Sequence, residues 1–237
     1  MSRLTKWIDR TAYPAYADDW DNRLFREAVL ERVPAARDVL DLGAGAGIVR
    51  DMDLRGLGPR IHGIDLDPRV LQNPFLDDAR VGTAENLPYP DGSFDLVVCN
   101  NVLEHLPDPA IAFAEVVRVL RPGGVFLAKT PNRWHYVALL ARLTPHRFHQ
   151  LVNEWRGRDR EDTFPTLYRA NTVGALHRWA ETAGLTVERV RHVEGRPEYL
   201  RIFAPAYLLG VAYERIVNAT DLLAPWRVIL IASFRKN

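Results

Sequence analysis

Short apolar runs alternate with helical stretches through the middle of the chain. Between residues 38 and 130, the segments Asp38–Ala44 (DVLDLGA), Arg60–Asp65 (RIHGID), Phe94–Asn100 (FDLVVCN) and Gly124–Thr130 (GVFLAKT) predict strands. Their nearly continuous apolar character predicts a parallel sheet covered on both faces, since a half-exposed antiparallel sheet would alternate apolar with polar positions. Asp108–Leu120 has apolar residues at helical spacing, starts after Pro107 and stops before Pro122, Gly123 and Gly124, which predicts a helix between the last two strands. Strands alternating with helices specify an open α/β sheet. Upstream, Tyr16–Val33 predicts an amphipathic N-terminal helix within a segment of about residues 10–33. Downstream, Thr172–Ala183 predicts a helix ended by Gly184, Thr186–Val193 an alternating strand and Trp226–Phe234 a final strand. Two stretches do not fit the repeating unit: about 131–170, rich in aromatics and His, and about 195–225, rich in apolar residues and proline. Neither is large enough to bury a core alone, so both are expected as insertions over one end of the sheet, within a single domain spanning 1–237.

Composition narrows the class. The chain has 237 residues, 47% of them hydrophobic and 26% charged, with one cysteine. It is long enough to bury a large core without disulfides or metals. A lone Cys99 excludes an internal disulfide and multi-cysteine metal sites, and it fits a reducing, cytoplasmic setting. No apolar h-region with a small-residue cleavage site opens the chain, and the longest uncharged apolar run, Ile202–Tyr213, has 12 residues. That is short of the roughly 18 a membrane helix needs. The net charge of +1 argues against a protein that mainly grips nucleic acid. It is a cancellation, however: residues 1–130 carry 15 basic and 20 acidic side chains, residues 131–237 carry 16 and 10. An acidic first part suits a cationic ligand, and the basic, aromatic remainder suits an acceptor with some negative character.

Three motifs carry chemistry. In Val39–Gly47 (VLDLGAGAG), a strand runs into a turn whose glycines let backbone approach a ligand closely. Such a loop also serves dinucleotide sites, but Asp41 lies two residues before the first glycine, where a carboxylate repels a pyrophosphate and attracts an ammonium. The helix after this loop must be short, because few residues separate Gly47 from Ile61. In Gly63–Pro68 (GIDLDP), Asp65 ends the second strand, placed to accept hydrogen bonds from a ribose diol. The third is Gly82–Asp108 (GTAENLPYPDGSFDLVVCNNVLEHLPD).

Together with Arg121–Asn132 (RPGGVFLAKTPN), these motifs resemble the class I S-adenosylmethionine-dependent methyltransferases, in the methyltransferase type 11 and ubiquinone-biosynthesis-like group. The resemblance is dense over about 36–130 and looser through 172–193 and 226–234. It implies a Rossmann-like fold: a seven-stranded, mostly parallel sheet with an antiparallel last strand and helices on both faces. It implies S-adenosyl-L-methionine as cofactor. Asp41, Gly43, Ala44 and Gly45 would then hold its methionine end, Asp65 the ribose, Leu66 the adenine face, and Ala84 and Glu85 the adenine edge. Asn100 would line the pocket near the sulfonium. Tyr13, Tyr16 and Trp20 resemble aromatics with which related enzymes cover the cofactor.

The acceptor side is less determined. His105 is a candidate general base, since an imidazole's ordinary pKa near 6.5 suits proton abstraction at neutral pH, and so is His135, which follows the fifth strand closely; the alternative for His105 is orienting its loop by hydrogen bonding, and for His135 it is packing. Asn100 and Asn101 have strand capping as theirs. Related quinone O-methyltransferases carry a Glu-x-x-Glu-His metal motif, but Asn101 stands where its first Glu would be, beside Glu104 and His105, so no metal is expected. His146 and His149 have helical i, i+3 spacing without an evident third ligand, and the mixed-sign run 156–162 reads as a solvated loop. The apolar stretch 199–217 leaves packing, a homodimer interface, an acceptor pocket and a peripheral membrane contact open. The expected reaction is methyl transfer to a small aromatic or apolar acceptor (quinone-, lipid- or natural-product-like), with a hydroxyl as accepting group and no nucleic acid partner. A nucleic acid methyltransferase, a nicotinamide oxidoreductase and a non-catalytic cofactor-binding scaffold are the alternatives.

Overall fold

The computed structural model describes residues 2–14, 16, 19–143 and 165–237. Seven strands form one sheet: β1 (Asp38–Leu42), β2 (Arg60–Asp65), β3 (Asp78–Val81), β4 (Phe94–Asn100), β5 (Leu120–Pro131), β6 (Leu185–Val193) and β7 (Ile229–Lys236), in the order β3-β2-β1-β4-β5-β7-β6. Pairing is parallel from β3 through β5, while β7 runs antiparallel to both β5 and β6. The mostly parallel sheet with an antiparallel last strand is as expected.

The apolar runs explain the double covering. On β1, β4 and β5, Leu40, Leu42, Val97, Cys99, Phe126 and Ala128 enter one core, whereas Val39, Leu96, Val98, Val125 and Leu127 enter the other. Successive side chains point to opposite faces of a strand, so a strand buried on both sides must be apolar throughout. Helices α3 (Pro109–Val119) and α5 (Val173–Ala183) bring Phe113, Val116, Leu176 and Ala180 to the first core. Helix α2 (Trp20–Leu30) brings Phe25 and Val29 to the second. Asp108 caps α3 by accepting from Ala110 and Ile111 N–H, and Thr172 caps α5 by accepting from Ala175 N–H at 3.1 Å.

Several boundaries differ from the expectation for identifiable reasons. The N-terminal segment forms two helices, α1 (Arg3–Ala12) and α2, rather than one over 16–33. β1 stops at Leu42 because Gly43 turns with φ +81°. The strand expected at 226–234 starts at Ile229, because Asp221–Trp226 forms a 3-10 turn capped by Thr220. The short helix expected after the glycine loop does not form as an α-helix; the few residues before β2 allow only a single 3-10 turn, Arg50–Met52. The 131–170 stretch opens with α4 (Tyr136–Leu143), whereas His146, Phe148, His149, Trp155 and the run 156–162 lie outside the described residues.

The 195–225 stretch is built around α6 (Ala204–Asn218), which packs on α1: Tyr207 stacks on Tyr13 with centroids 6.2 Å apart and donates to Asp9 Oδ1 at 2.6 Å. Arg201 also pairs with Asp9, at 3.0 Å. Phe203, Leu208, Leu209 and Ile216 remain exposed. Among the described residues, no helix is long and apolar enough to cross a membrane.

Candidate cofactor and active site

The site forms where β1, β2 and β4 end. Gly43, Gly45 and Gly47 all have positive φ, and a Cβ on Gly43 would lie 2.1 Å from Val102 Cγ2. Side chains there would both strain the backbone and fill the turn. The first three N–H groups of the loop are already used: Gly43 and Ala44 donate to the Ile64 carbonyl at 2.8 and 3.1 Å, and Gly45 donates to Asp65 Oδ2 at 2.8 Å. Asn73 clamps the other side, donating to the Ala44 and Gly45 carbonyls at 3.0 and 3.1 Å. In a dinucleotide site these N–H groups and a following helix N-terminus face the pyrophosphate. Here the first three amides of the loop are spent on β2 and no α-helix follows it, so the helix N-terminus that a nicotinamide dinucleotide site uses is missing.

The electrostatics point the same way. Asp41 is buried at the end of β1; burial, reinforced by the charge of Asp65, pushes its carboxyl up to about 7. A buried carboxylate that no cation neutralises disfavours its own charged form. A cationic ligand relieves that penalty. Asp65 accepts from Gly45 and, through Oδ1, from Asp67 N–H at 2.9 Å, so its carboxylate is aimed by the two turns it joins.

A narrow cleft lies over these groups, lined by Asp41, Gly43, Ala44, Gly47, Asn73 and Asn100, among others. Asn100 Oδ1, at the end of β4 on a residue that lines this cleft, is buried without a partner; Glu85 Oε1 beyond β3 is likewise buried and unpaired, outside that lining. Ala84 is buried beside Glu85, while Leu66 is 63% exposed and presents an apolar face next to Asp65. The ensemble offers carboxylates, unpaired acceptors and a small apolar ledge. That donor set fits S-adenosylmethionine, which brings an ammonium, a sulfonium, a ribose diol and an adenine amine.

The N-terminal aromatics connect this end of the sheet to α6. Tyr13 and Tyr16 meet edge-on at 5.2 Å, and Tyr16 and Trp20 at 5.9 Å. Tyr13 is buried and donates to Glu214 Oε2 at 3.1 Å, and Trp20 lies against Gly195. These rings anchor the N-terminal segment to α6 and to the turn after β6.

The two candidate bases stand in different surroundings. His105 Nδ1 lies 2.8 Å from the Pro165 carbonyl. A carbonyl only accepts, so Nδ1 carries the proton and Nε2 the basic lone pair. Nε2 is 3.9 Å from Oε1 of Glu104, a buried residue that accepts from Thr130 Oγ1 at 3.0 Å and whose carboxyl burial pushes up. His135 is buried in the fold instead. Its Nδ1 accepts from Val137 N–H at 3.3 Å, which puts the proton on Nε2, 3.4 Å from Glu194 Oε2. Burial pushes His135 down to about 3 and Glu194 up to about 8. The imidazole is a neutral member of a buried pair, not a lining residue of the cleft.

Sequence reading missed Asn73, Asn22 and Lys129. Only Lys129 left a signal, as a charge inside an otherwise apolar strand run; it is wholly buried, with Nζ 2.6 Å from both Asp21 Oδ2 and Asn22 Oδ1.

A parallel sheet with one antiparallel strand inserted beside its edge, and an acidic cofactor cleft behind a glycine loop, define a class I methyltransferase domain. Residues 40–128 match the Methyltransf_11 family, a methyltransferase domain, and the relatives the chain resembles are S-adenosylmethionine-dependent methyltransferases. It is 42% identical over 123 residues to a probable S-adenosylmethionine-dependent methyltransferase of Mycolicibacterium smegmatis, covering 48% of this chain and 47% of that one. It is 31% identical over 166 residues to a ubiquinone biosynthesis O-methyltransferase of Xanthomonas axonopodis pv. citri, covering 66% of each. The chain thus spans about half the length of the first relative and about two thirds of the second. In fold it is similar to an S-adenosylmethionine-dependent methyltransferase from Mesorhizobium loti, with a TM-score of 0.60 at 18% identity over 93% of this chain and 98% of that one.

Proposed function

We propose that this chain transfers the methyl group of S-adenosylmethionine to a hydroxyl of a small aromatic or apolar acceptor. The observation that carries the cofactor half is the buried Asp41 carboxyl, raised by burial and by the charge of Asp65, in a cleft it lines with Gly43, Ala44 and Asn100. Bound there, the cofactor supplies an electrophilic methyl group. Asp41 and the Asn100 carbonyl hold the ammonium end, Asp65 takes the ribose hydroxyls, and Glu85 and Ala84 meet the adenine edge. The protein's further contribution is alignment and exclusion of water, since a sulfonium needs no activation.

His105 rather than His135 takes the base role in this reading. The acceptor's hydroxyl proton passes to Nε2, and the nearby Glu104 carboxyl and the Pro165 carbonyl steady the resulting imidazolium. The O-methyltransferase relative supports an aromatic or quinone-like acceptor. The exposed row Phe203, Leu208, Leu209 and Ile216 is the surface at which a second copy or a membrane would meet the protein.

Incubation with methyl-labelled S-adenosylmethionine and a cell extract, followed by mass identification of the product, tests this. A labelled small-molecule ether supports it. Label in RNA shifts the assignment to a nucleic acid methyltransferase, and cofactor binding without any transfer leaves a binding scaffold.

A further inference from the structure

Two side chains outside the glycine loop decide which atom Asn100 offers the cleft. Lys129, fully buried on β5, places Nζ 2.6 Å from Asn22 Oδ1 on the first turn of α2. An ammonium has three donors and no acceptor, so the atom of Asn22 that faces it must be the oxygen. The same Oδ1 is 3.1 Å from the Asn100 amide, so Asn100 must turn its Nδ2 toward Asn22. Its own Oδ1 is then left on the far side, buried and without a partner, on a residue that lines the cleft with Asp41. Asn and Gln amides are commonly ambiguous in orientation; here the lysine settles two of them in series.

We propose that Lys129 and Asn22 are positioning residues that hold Asn100 Oδ1 as an acceptor for the cofactor's α-ammonium, beside the Asp41 carboxylate. This rests on the cofactor reading above. A lysine buried in an apolar strand run is costly, and an apolar side chain of similar length would serve packing alone at least as well. Asp21, 2.6 Å from Nζ, balances its charge, so the ammonium of Lys129 does not oppose the cation the cleft receives. Were Asn22 unable to accept, the Asn100 amide could rotate and present N–H groups to the ligand's own N–H groups. The arrangement also ties the first turn of α2 to β4 and β5, so the N-terminal segment and the cleft are set by one set of bonds.

Calorimetry with two probes tests the role. S-adenosylhomocysteine carries the amino acid end, and 5′-methylthioadenosine lacks it. Asn22→Ala is expected to weaken S-adenosylhomocysteine by about tenfold or more and 5′-methylthioadenosine by less than about twofold. Asn22→Asp, whose carboxylate accepts from both Lys129 and Asn100, should stay within about threefold of wild type for both probes. Lys129→Met should repeat the selective loss; if it does not fold, Asn22→Ala decides. Equal losses for both probes, or none for S-adenosylhomocysteine, overturn the positioning role while leaving the cofactor reading intact. Wild-type protein that fails to bind S-adenosylhomocysteine overturns both.

Discussion

Burial of the Asp41 carboxyl near the end of β1, reinforced by the charge of Asp65 at the end of β2, pushes it up to about 7. A pair of this kind is a standing electrostatic cost in the ligand-free protein. It is also a source of selectivity, because the ligand that removes the cost must be positive.

Cofactor affinity is therefore expected to rise with pH through about 7, as Asp41 ionises, and to level off above it. Asp41→Asn should flatten that profile and lower affinity at pH 8 by about tenfold. Folding stability should respond in the opposite sense. A carboxyl whose folded pKa is raised contributes stability below its unfolded value near 4 that is lost as pH rises through about 7, so above neutrality the ligand-free Asn variant should melt higher than wild type. Calorimetry and melting curves from pH 5.5 to 8.5 check both; a wild-type affinity independent of pH contradicts the assignment.

Asp65 receives Gly45 N–H, and in the proposed reading it also takes the ribose hydroxyls. Asp65→Ala should weaken S-adenosylhomocysteine by at least about tenfold, roughly 1.4 kcal/mol. Unchanged affinity in a titration would remove the ribose assignment.

For His105, the tautomer imposed by Pro165 makes a specific claim about kinetics. His105→Ala should lose most of kcat while keeping cofactor affinity within about threefold, a loss of about 10²-fold or more being usual for a general base. Normal turnover in the variant would assign the imidazole to holding the loop.

Glu194 gives a stability prediction away from the cofactor. Burial pushes it up to about 8, beside a His135 held neutral. Its contribution is present below about 4.5 and is lost as pH rises through about 8, so Glu194→Gln should show a shallower fall in Tm between pH 6 and 9 than wild type. Parallel Tm curves would mean that the carboxyl is ionised in the folded protein throughout that range.

What could be read from the sequence follows from how local each signal is. The central strands declared themselves because β1, β4 and β5 are apolar on both faces, and Asp41 and Asp65 because each sits at a fixed offset from a glycine turn. β3 escaped because Asp78–Val81 is four residues with polar and charged members at an edge. α1 escaped because it is charge-rich and buries only Thr5 and Ile8, against a helix about 200 residues later. The Lys129–Asn22–Asn100 series was invisible for the same reason: its members come from β5, α2 and β4, and no local pattern links them. His105 and His135 looked alike as candidates, and their separation needed the partners of each ring nitrogen, which spacing does not encode.

The placing of β7 has a consequence for synthesis. It lies between β5 and β6, so Leu185–Val193 has no neighbour in the sheet until residues 229–236 arrive. Emerging from the ribosome, the first five strands can assemble in order, whereas β6 must wait with α5 for a strand some 36 residues later in the chain. Closure of the sheet thus depends on contacts between distant segments, which slows folding. A chain stopped before residue 229 would lose two strands rather than one, and would leave the edge of β5 open to pairing with other chains.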